Sequence, residues 1–290
     1  MNRIARLAIA SCTMTCIFSL NSIAQTPETD APPAPPAATN AKPTVGFSSY
    51  VDTYYASDND RSASANRSML NALAPNKNTA GVNLMQVTGT IDAPNYRAKA
   101  TLHYGDLPRV SWLADGADPL TPAASLQEAY AGVSFANGLW IDAGYFLTHI
   151  GGEVIQAKDN WLSTLAMVTQ FEPFFQAGLR VNYDAHPNLS LQGLLLNGYN
   201  RFTDNNNSKS IGYMITYRPD ANLNFTLGGL SGNEQPNGAA SANRLYHSLV
   251  MNATPSSDFL IRAQADVALQ QAVGDGASST STVGGYVAMR

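Results

Sequence analysis

From Val45 onward, apolar side chains recur at every second residue, a period that builds strands and that a helical repeat of 3.6 would scramble. Tyr96, Ala98, Ala100, Leu102 and Tyr104 share one face, opposite Arg97, Lys99, Thr101 and His103. Phe175, Ala177, Leu179, Val181 and Tyr183 oppose Gln176, Gly178, Arg180 and Asn182. Ile211, Tyr213, Ile215 and Tyr217 oppose Gly212, Met214, Thr216 and Arg218. In the same way Phe259, Ile261, Ala263, Ala265, Val267 and Leu269 oppose Arg262, Gln264, Asp266 and Gln270. Further segments at 45–57, 80–92, 125–135, 139–147, 189–199, 223–231, 244–254 and 282–290 bring the expectation to about twelve strands. Each is near the ~9–11 residues that cross a bilayer at a tilt.

The connections add a second constraint. Short turns fall at 93–95, 136–138, 185–188, 219–222 and 255–258. Long connections at 58–79, 106–124, 148–171, 232–243 and 271–281, with a shorter one at 200–207, alternate with them without exception. An up-and-down antiparallel barrel with short turns on one side of a membrane and long loops on the other has this order. Tyr96, Phe135, Tyr183, Tyr217, Phe225 and Phe259 each flank a short turn on the apolar face of a strand, the pattern of an interfacial aromatic girdle.

Composition decides which face meets lipid. Only 13% of the 290 residues are charged, against about 25% in ordinary soluble domains. A barrel of about twelve strands is too wide for its own side chains to fill unless a ligand or plug occupies it. Lining water with Arg97, Arg180, Arg218 and Arg262 costs little, whereas pointing them at mid-bilayer lipid costs ~2–4 kcal/mol each. The polar faces are therefore expected inside. The opposite arrangement, a soluble secreted binding barrel, is the least favoured alternative.

The N-terminus reads as a secretory signal over 1–24, with Arg3 and Arg6 before the apolar stretch from Leu7 to Leu20 and a small-x-small site at Ser22-Ile23-Ala24. Both cysteines, Cys12 and Cys16, fall inside it, so the processed chain would carry no disulfide or thiolate metal site. A Pro- and Ala-rich linker at 25–44, expected in the periplasm, leads to the barrel domain at 45–290. Without Arg3 and Arg6 the chain keeps fifteen basic residues against twenty-one acidic ones, and nothing points to nucleic acid as a partner.

Several short blocks resemble the OmpL-like family of outer-membrane β-barrel porins over most of 45–290. They are Gln127-x-Ala129-Tyr130, Asp142-Ala143-Gly144-x-Phe146-x-Thr148-x-Ile150-Gly151-x-Glu153 and Asn160-Trp161. Pro173, Gly178-Leu179-Arg180, Asn197-Gly198-Tyr199-Asn200, and Asn206 leading to Lys209-x-x-Gly212 follow, with Tyr199 standing where the family pattern often has Trp. The resemblance implies a bacterial outer-membrane location and a water-filled pore for passive diffusion of small solutes or ions, without naming a substrate. The last segment ends on Ala288-Met289-Arg290 rather than on the terminal aromatic common in such barrels, which reads as truncation of a longer protein.

The candidate pore-lining residues are Arg97, Lys99, Glu128, Asp142, Arg180, Arg218, Arg262 and Asp266, with Asp52 a further acid on an inward face. The bases lie toward the short-turn ends, Arg180 somewhat deeper, and a basic inner mouth with mild anion preference is the expectation. The long connection 148–171 is not simply polar. With His149, Glu153, Lys158, Asp159 and Trp161 around the apolar Leu165 to Val168, it is expected to fold inward as a constriction, with a short helix over 160–169.

No catalytic, cofactor or metal site is expected. There is no H-E-x-x-H, G-x-S-x-G or phosphate-binding loop; His103, His149, His186 and His247 lack metal-ligand spacing; and neighbouring His247 and Ser248 must point to opposite faces of a strand. Asp58, Asp60, Asp204 and the Asn205 to Asn207 run supply oxygen ligands but complete no calcium loop. The remaining alternative is a non-conducting adhesin or scaffold barrel in outer-membrane lipid, which would have a filled lumen. A homo-oligomer is compatible with either reading.

Overall fold

The computed structural model describes residues 42–57, 73–112, 125–161, 165–272 and 278–290. The expected signal segment and most of the linker lie outside them. Twelve strands make one antiparallel sheet in which each strand pairs only with its sequence neighbours. They are β1 (Thr44–Ala56), β2 (Thr79–Asp92), β3 (Tyr96–Tyr104), β4 (Leu126–Ala136), β5 (Leu139–Leu147) and β6 (Phe175–His186). Then follow β7 (Leu189–Leu196), β8 (Ser210–Asp220), β9 (Leu223–Asn233), β10 (Asn243–Ser256), β11 (Phe259–Gln270) and β12 (Thr280–Met289). β1 and β12 stand at the two ends of this order, with no ladder between them among the described residues. The up-and-down topology and the alternation of short turns with long loops are as the sequence predicts.

Burial along the strands is inverted relative to a water-soluble protein. Phe47, Phe135 and Val283 on outward faces are 81%, 73% and 78% exposed, whereas Asp142, Gln176 and Ser210 are completely covered. Along β11, Gln264 and Asp266 are buried while Ala265, Val267 and Leu269 are exposed. Five of the six expected girdle aromatics, Tyr96, Phe135, Tyr183, Tyr217 and Phe259, are exposed at the short-turn end; Phe225 is half-buried. Burying unpaired polar groups is costly and exposing apolar ones to water is unfavourable. This wall suits a medium that is greasy outside and polar within.

Two β-bulges refine the alternation. In the β1–β2 ladder Asp52 faces Leu84 and Thr53 faces Val82, leaving Asn83 as an extra residue. In the β3–β4 ladder Thr101 faces Glu128 and Leu102 faces Leu126, leaving Gln127 extra. A bulge re-aims side chains, and here Asn83–Leu84 and Gln127–Glu128 each bury two consecutive residues. Gly144 and Gly178 face each other in the β5–β6 ladder. Their φ values are +135° and +150°, and an added Cβ would lie 2.2 Å from the Ala129 carbonyl oxygen and 2.1 Å from that of Leu195. Only glycine fits so close a strand contact at that backbone angle.

The described parts of three long loops pack together. Leu73, Leu107, Trp112, Ile155 and Leu165 from three long connections join Leu84 and Phe175 in an apolar cluster. The one described α-helix, α1 (Asp106–Ser111), carries Leu107 into it. Phe175, expected on the lipid-facing side, is instead buried, because its ring stacks 4.2 Å from Phe202 and 5.4 Å from Trp112.

Candidate functional site

The interior of the wall is built from a cross-strand row. Arg97 on β3 faces Gly132 on β4, Gly132 faces Asp142 on β5, and Asp142 faces Arg180 on β6. Gly132 leaves a gap in the row: a Cβ there would sit 2.0 Å from Asp142 Oδ1. Arg97 reaches through that gap, donating from Nε to Oδ1 at 2.8 Å and from Nη2 to Oδ2 at 2.7 Å. Arg180 donates to Oδ2 from Nε at 3.1 Å and Nη2 at 2.9 Å, and Asn182 Nδ2 adds a bond of 2.9 Å. Bidentate charge-assisted bonds of this kind fix geometry as well as charge. Both guanidiniums also lie over rings, Arg97 4.4 Å from Trp140 and Arg180 4.9 Å from Tyr130 and 4.7 Å from Phe146. Two residues along β3 from Arg97, Lys99 Nζ pairs with Glu128 at 2.9 Å.

The connection between β5 and β6 turns inward and touches strands around the barrel. His149 lies between the Gln176 side-chain amide and the Gly229 carbonyl, with 2.9 Å to each. Gly152 N donates to Gln264 Oε1 on β11 at 2.9 Å, and Gln156 Nε2 donates to Gln86 Oε1 on β2 at 3.1 Å. Trp161 lies under Arg262, with the guanidinium 5.0 Å from its ring. A Cβ on Gly284 of β12 would meet Val168 at 2.9 Å. Glu153 holds the connection's own shape, accepting from Ala166 N at 2.6 Å and Thr169 Oγ1 at 2.9 Å. Where a short helix over 160–169 was expected, residues 162–164 lie outside the described set, and 3₁₀ turns flank them at Ala157–Asp159 and Met167–Phe171. The Asn160 amide bonds the Val154 backbone at 2.8 and 2.6 Å, holding that stretch in a turn rather than a helix.

Arg218 and Arg262 also sit on inward faces, Arg218 near Ser190 at 3.4 Å and Arg262 bonded to Asn252 at 2.7 Å. Asp266 accepts from Tyr246 at 2.7 Å and from Gln264. Lys158 and Asp159 pair with each other at 2.8 Å, each about one-third exposed, and Lys158 reaches toward the Tyr50 ring. Asp52 accepts from Asn83 at 2.8 Å. Charge-centred sequence reasoning passed over the neutral interior. Gln86 bonds Gln127, Thr88 bonds Thr101 at 2.9 Å, and Gln264 links the loop to Asp266. Strand parity was the signal that could have found Gln86, Thr88, Thr101 and Gln264; Gln127 sits at a bulge, where parity fails.

His247 and Ser248 do point to opposite faces, Ser248 buried and His247 bonded to the outward Tyr213 hydroxyl at 2.9 Å. Asp204 pairs with Lys209, and the Asn206 amide binds the carbonyls of Asn233 and Gln235 at 3.0 and 2.9 Å. Asp58 and Asp60 lie outside the described residues. Among the described residues, no group of three or more His, Cys, Asp or Glu converges as a metal site.

Two groups of the inward connection are displaced in their proton affinity. Burial pushes His149 below its ordinary value, so its neutral form is favoured. Burial, reinforced by Asp266, pushes Glu172 well above its ordinary value of 4.5. The folded protein thus holds the Glu172 proton more tightly than the unfolded chain. This group's contribution favours folding in acid and is lost as pH rises from about 4.5 through the folded value. Glu172→Gln is expected to flatten that slope and to raise stability at neutral pH. Urea midpoints of the refolded chain measured from mildly acidic to neutral pH check this; a slope identical to wild type refutes it.

A family model described as "Putative beta-barrel porin-2, OmpL-like" matches residues 44–290. No curated protein matches significantly. Among solved structures, the chain is similar to in-vitro folded OmpT, an outer membrane protein of Vibrio cholerae, at 13% identity and a TM-score of 0.36, covering 83% of this chain and 74% of that one. The family match spans all twelve described strands. This chain belongs to the OmpL-like beta-barrel porin-2 family and resides in the bacterial outer membrane.

Proposed function

We propose that the barrel is a passive diffusion channel for small solutes or ions, narrowed by the connection 148–174. The observation that carries this reading is the inverted wall: apolar residues outward, and a polar interior that ties down its charges, Asp142 above all. Such a wall costs little only if lipid lies outside and water can enter. The inward connection supports a constriction, because its contacts run from β2 to β11 and β12. Arg97, Lys99 and Arg180 set three positive charges against Asp142 and Glu128. An anion preference from this group is therefore small. Outer-membrane lipid and the permeant solute are the partners, and no bond chemistry is involved.

A second reading, a non-conducting scaffold barrel, is favoured by the apolar cluster around Trp112 and Phe175, which fills space at the long-loop end. Planar-bilayer recordings of the refolded full chain separate the two. The channel reading expects discrete conductance steps, severalfold larger when residues 153–171 are replaced by a short Gly/Ser linker. It also expects reversal potentials in a salt gradient displaced slightly toward anions. Silence from both proteins would leave the scaffold reading standing.

A further inference from the structure

At the long-loop end of β10, β11 and β12 an open recess of about 280 Å³ faces inward. Arg244 forms part of its wall. Its Nε donates to Gln270 Oε1 at 2.8 Å and its guanidinium lies 4.6 Å from the Tyr199 ring, so its orientation is fixed. Unlike Arg97, Lys99 and Arg180, it has no carboxylate partner among the described residues. The nearby carboxylates are engaged elsewhere. Glu234 accepts from Tyr199 N and from Ser210 Oγ, each at 2.8 Å, and Asp266 accepts from Tyr246 and Gln264. Gln170 also lines the recess. A fixed guanidinium with no carboxylate facing it leaves its outer donors short of an anionic acceptor. Thr280 and Thr282 add hydroxyls along one side, while the rings of Phe171 and Tyr199 supply apolar surface.

We propose that this recess binds a small carboxylate-bearing solute with an apolar or aromatic body, its carboxylate on the outer nitrogens of Arg244. A fixed guanidinium matches a planar carboxylate with two parallel bonds. The adjoining rings would cover the rest of the solute, as in small-molecule sites that are mostly apolar with a few convergent polar groups. The proposal holds whether or not the barrel conducts, since binding is measured without transport.

Calorimetric titration of the detergent-refolded full chain with benzoate, benzyl alcohol and inorganic phosphate tests it. Benzoate is expected to bind at least about tenfold more tightly than either of the others, the worth of a charge-assisted hydrogen bond. Arg244→Ala should weaken benzoate about tenfold or more and Arg244→Lys less. Absence of benzoate binding, equal binding of benzyl alcohol, phosphate binding as tight as benzoate, or benzoate binding unchanged in Arg244→Ala would each overturn the proposal.

Discussion

Asp142→Asn is expected to lower the stability of the folded barrel by about 3 kcal/mol, the low end for breaking a buried ion pair. Asp142 is fully covered, and it is the acceptor for both Arg97 and Arg180. An amide in its place leaves two guanidiniums facing each other with no anion between them. The low end applies because their side chains are 27% and 17% exposed, so water screens part of the repulsion. Adding Arg97→Gln should recover part of the loss, since residues sharing one network do not combine additively. Urea unfolding in lipid vesicles, followed by tryptophan fluorescence, measures both variants. A midpoint unmoved by Asp142→Asn would show that the row does not hold the wall together.

Leu179→Arg tests the orientation of the wall. Leu179 is exposed on the outward face of β6, one residue before the inward Arg180. If hydrocarbon covers that face, arginine there costs ~2–4 kcal/mol near mid-bilayer. On the outside of a water-soluble barrel the same exchange would fall within about ±0.5 kcal/mol. The readout is the fraction of chain refolding into vesicles, together with its urea midpoint. Undiminished insertion and stability would mean that lipid does not touch this surface.

The wall was legible because a membrane barrel writes its two media into alternate residues. All twelve strands fall within a few positions of those read from periodicity, and the inward set from Arg97 to Asp266 follows from parity. The departures lie where parity fails. The extra residues Asn83 and Gln127 are invisible to a strict period of two, because each slips the count locally. Phe175 obeys the outward pattern yet is covered by Trp112 and Phe202, which arrive from other loops. That the connection after β5 turns inward could be anticipated from its sheltered apolar run. Its individual contacts could not, since His149 meets Gly229 and Gly152 meets Gln264 across 80 and 112 positions. Arg97 reaching Asp142 was hidden for a related reason: the deciding residue, Gly132, contributes only an absence of side chain.

The tie from Gly152 to Gln264 bears on how the molecule comes into being. A hairpin-by-hairpin meander forms mostly local pairings and would zip quickly, but a bond across 112 positions demands that the late strands arrive around a segment already in place. Were the wall completed first, that segment would have to be drawn through the mouth afterwards with its buried Glu172 and His149 stripped of water. Assembly is therefore expected to be concerted, the segment serving as the mandrel about which the remaining hairpins wind.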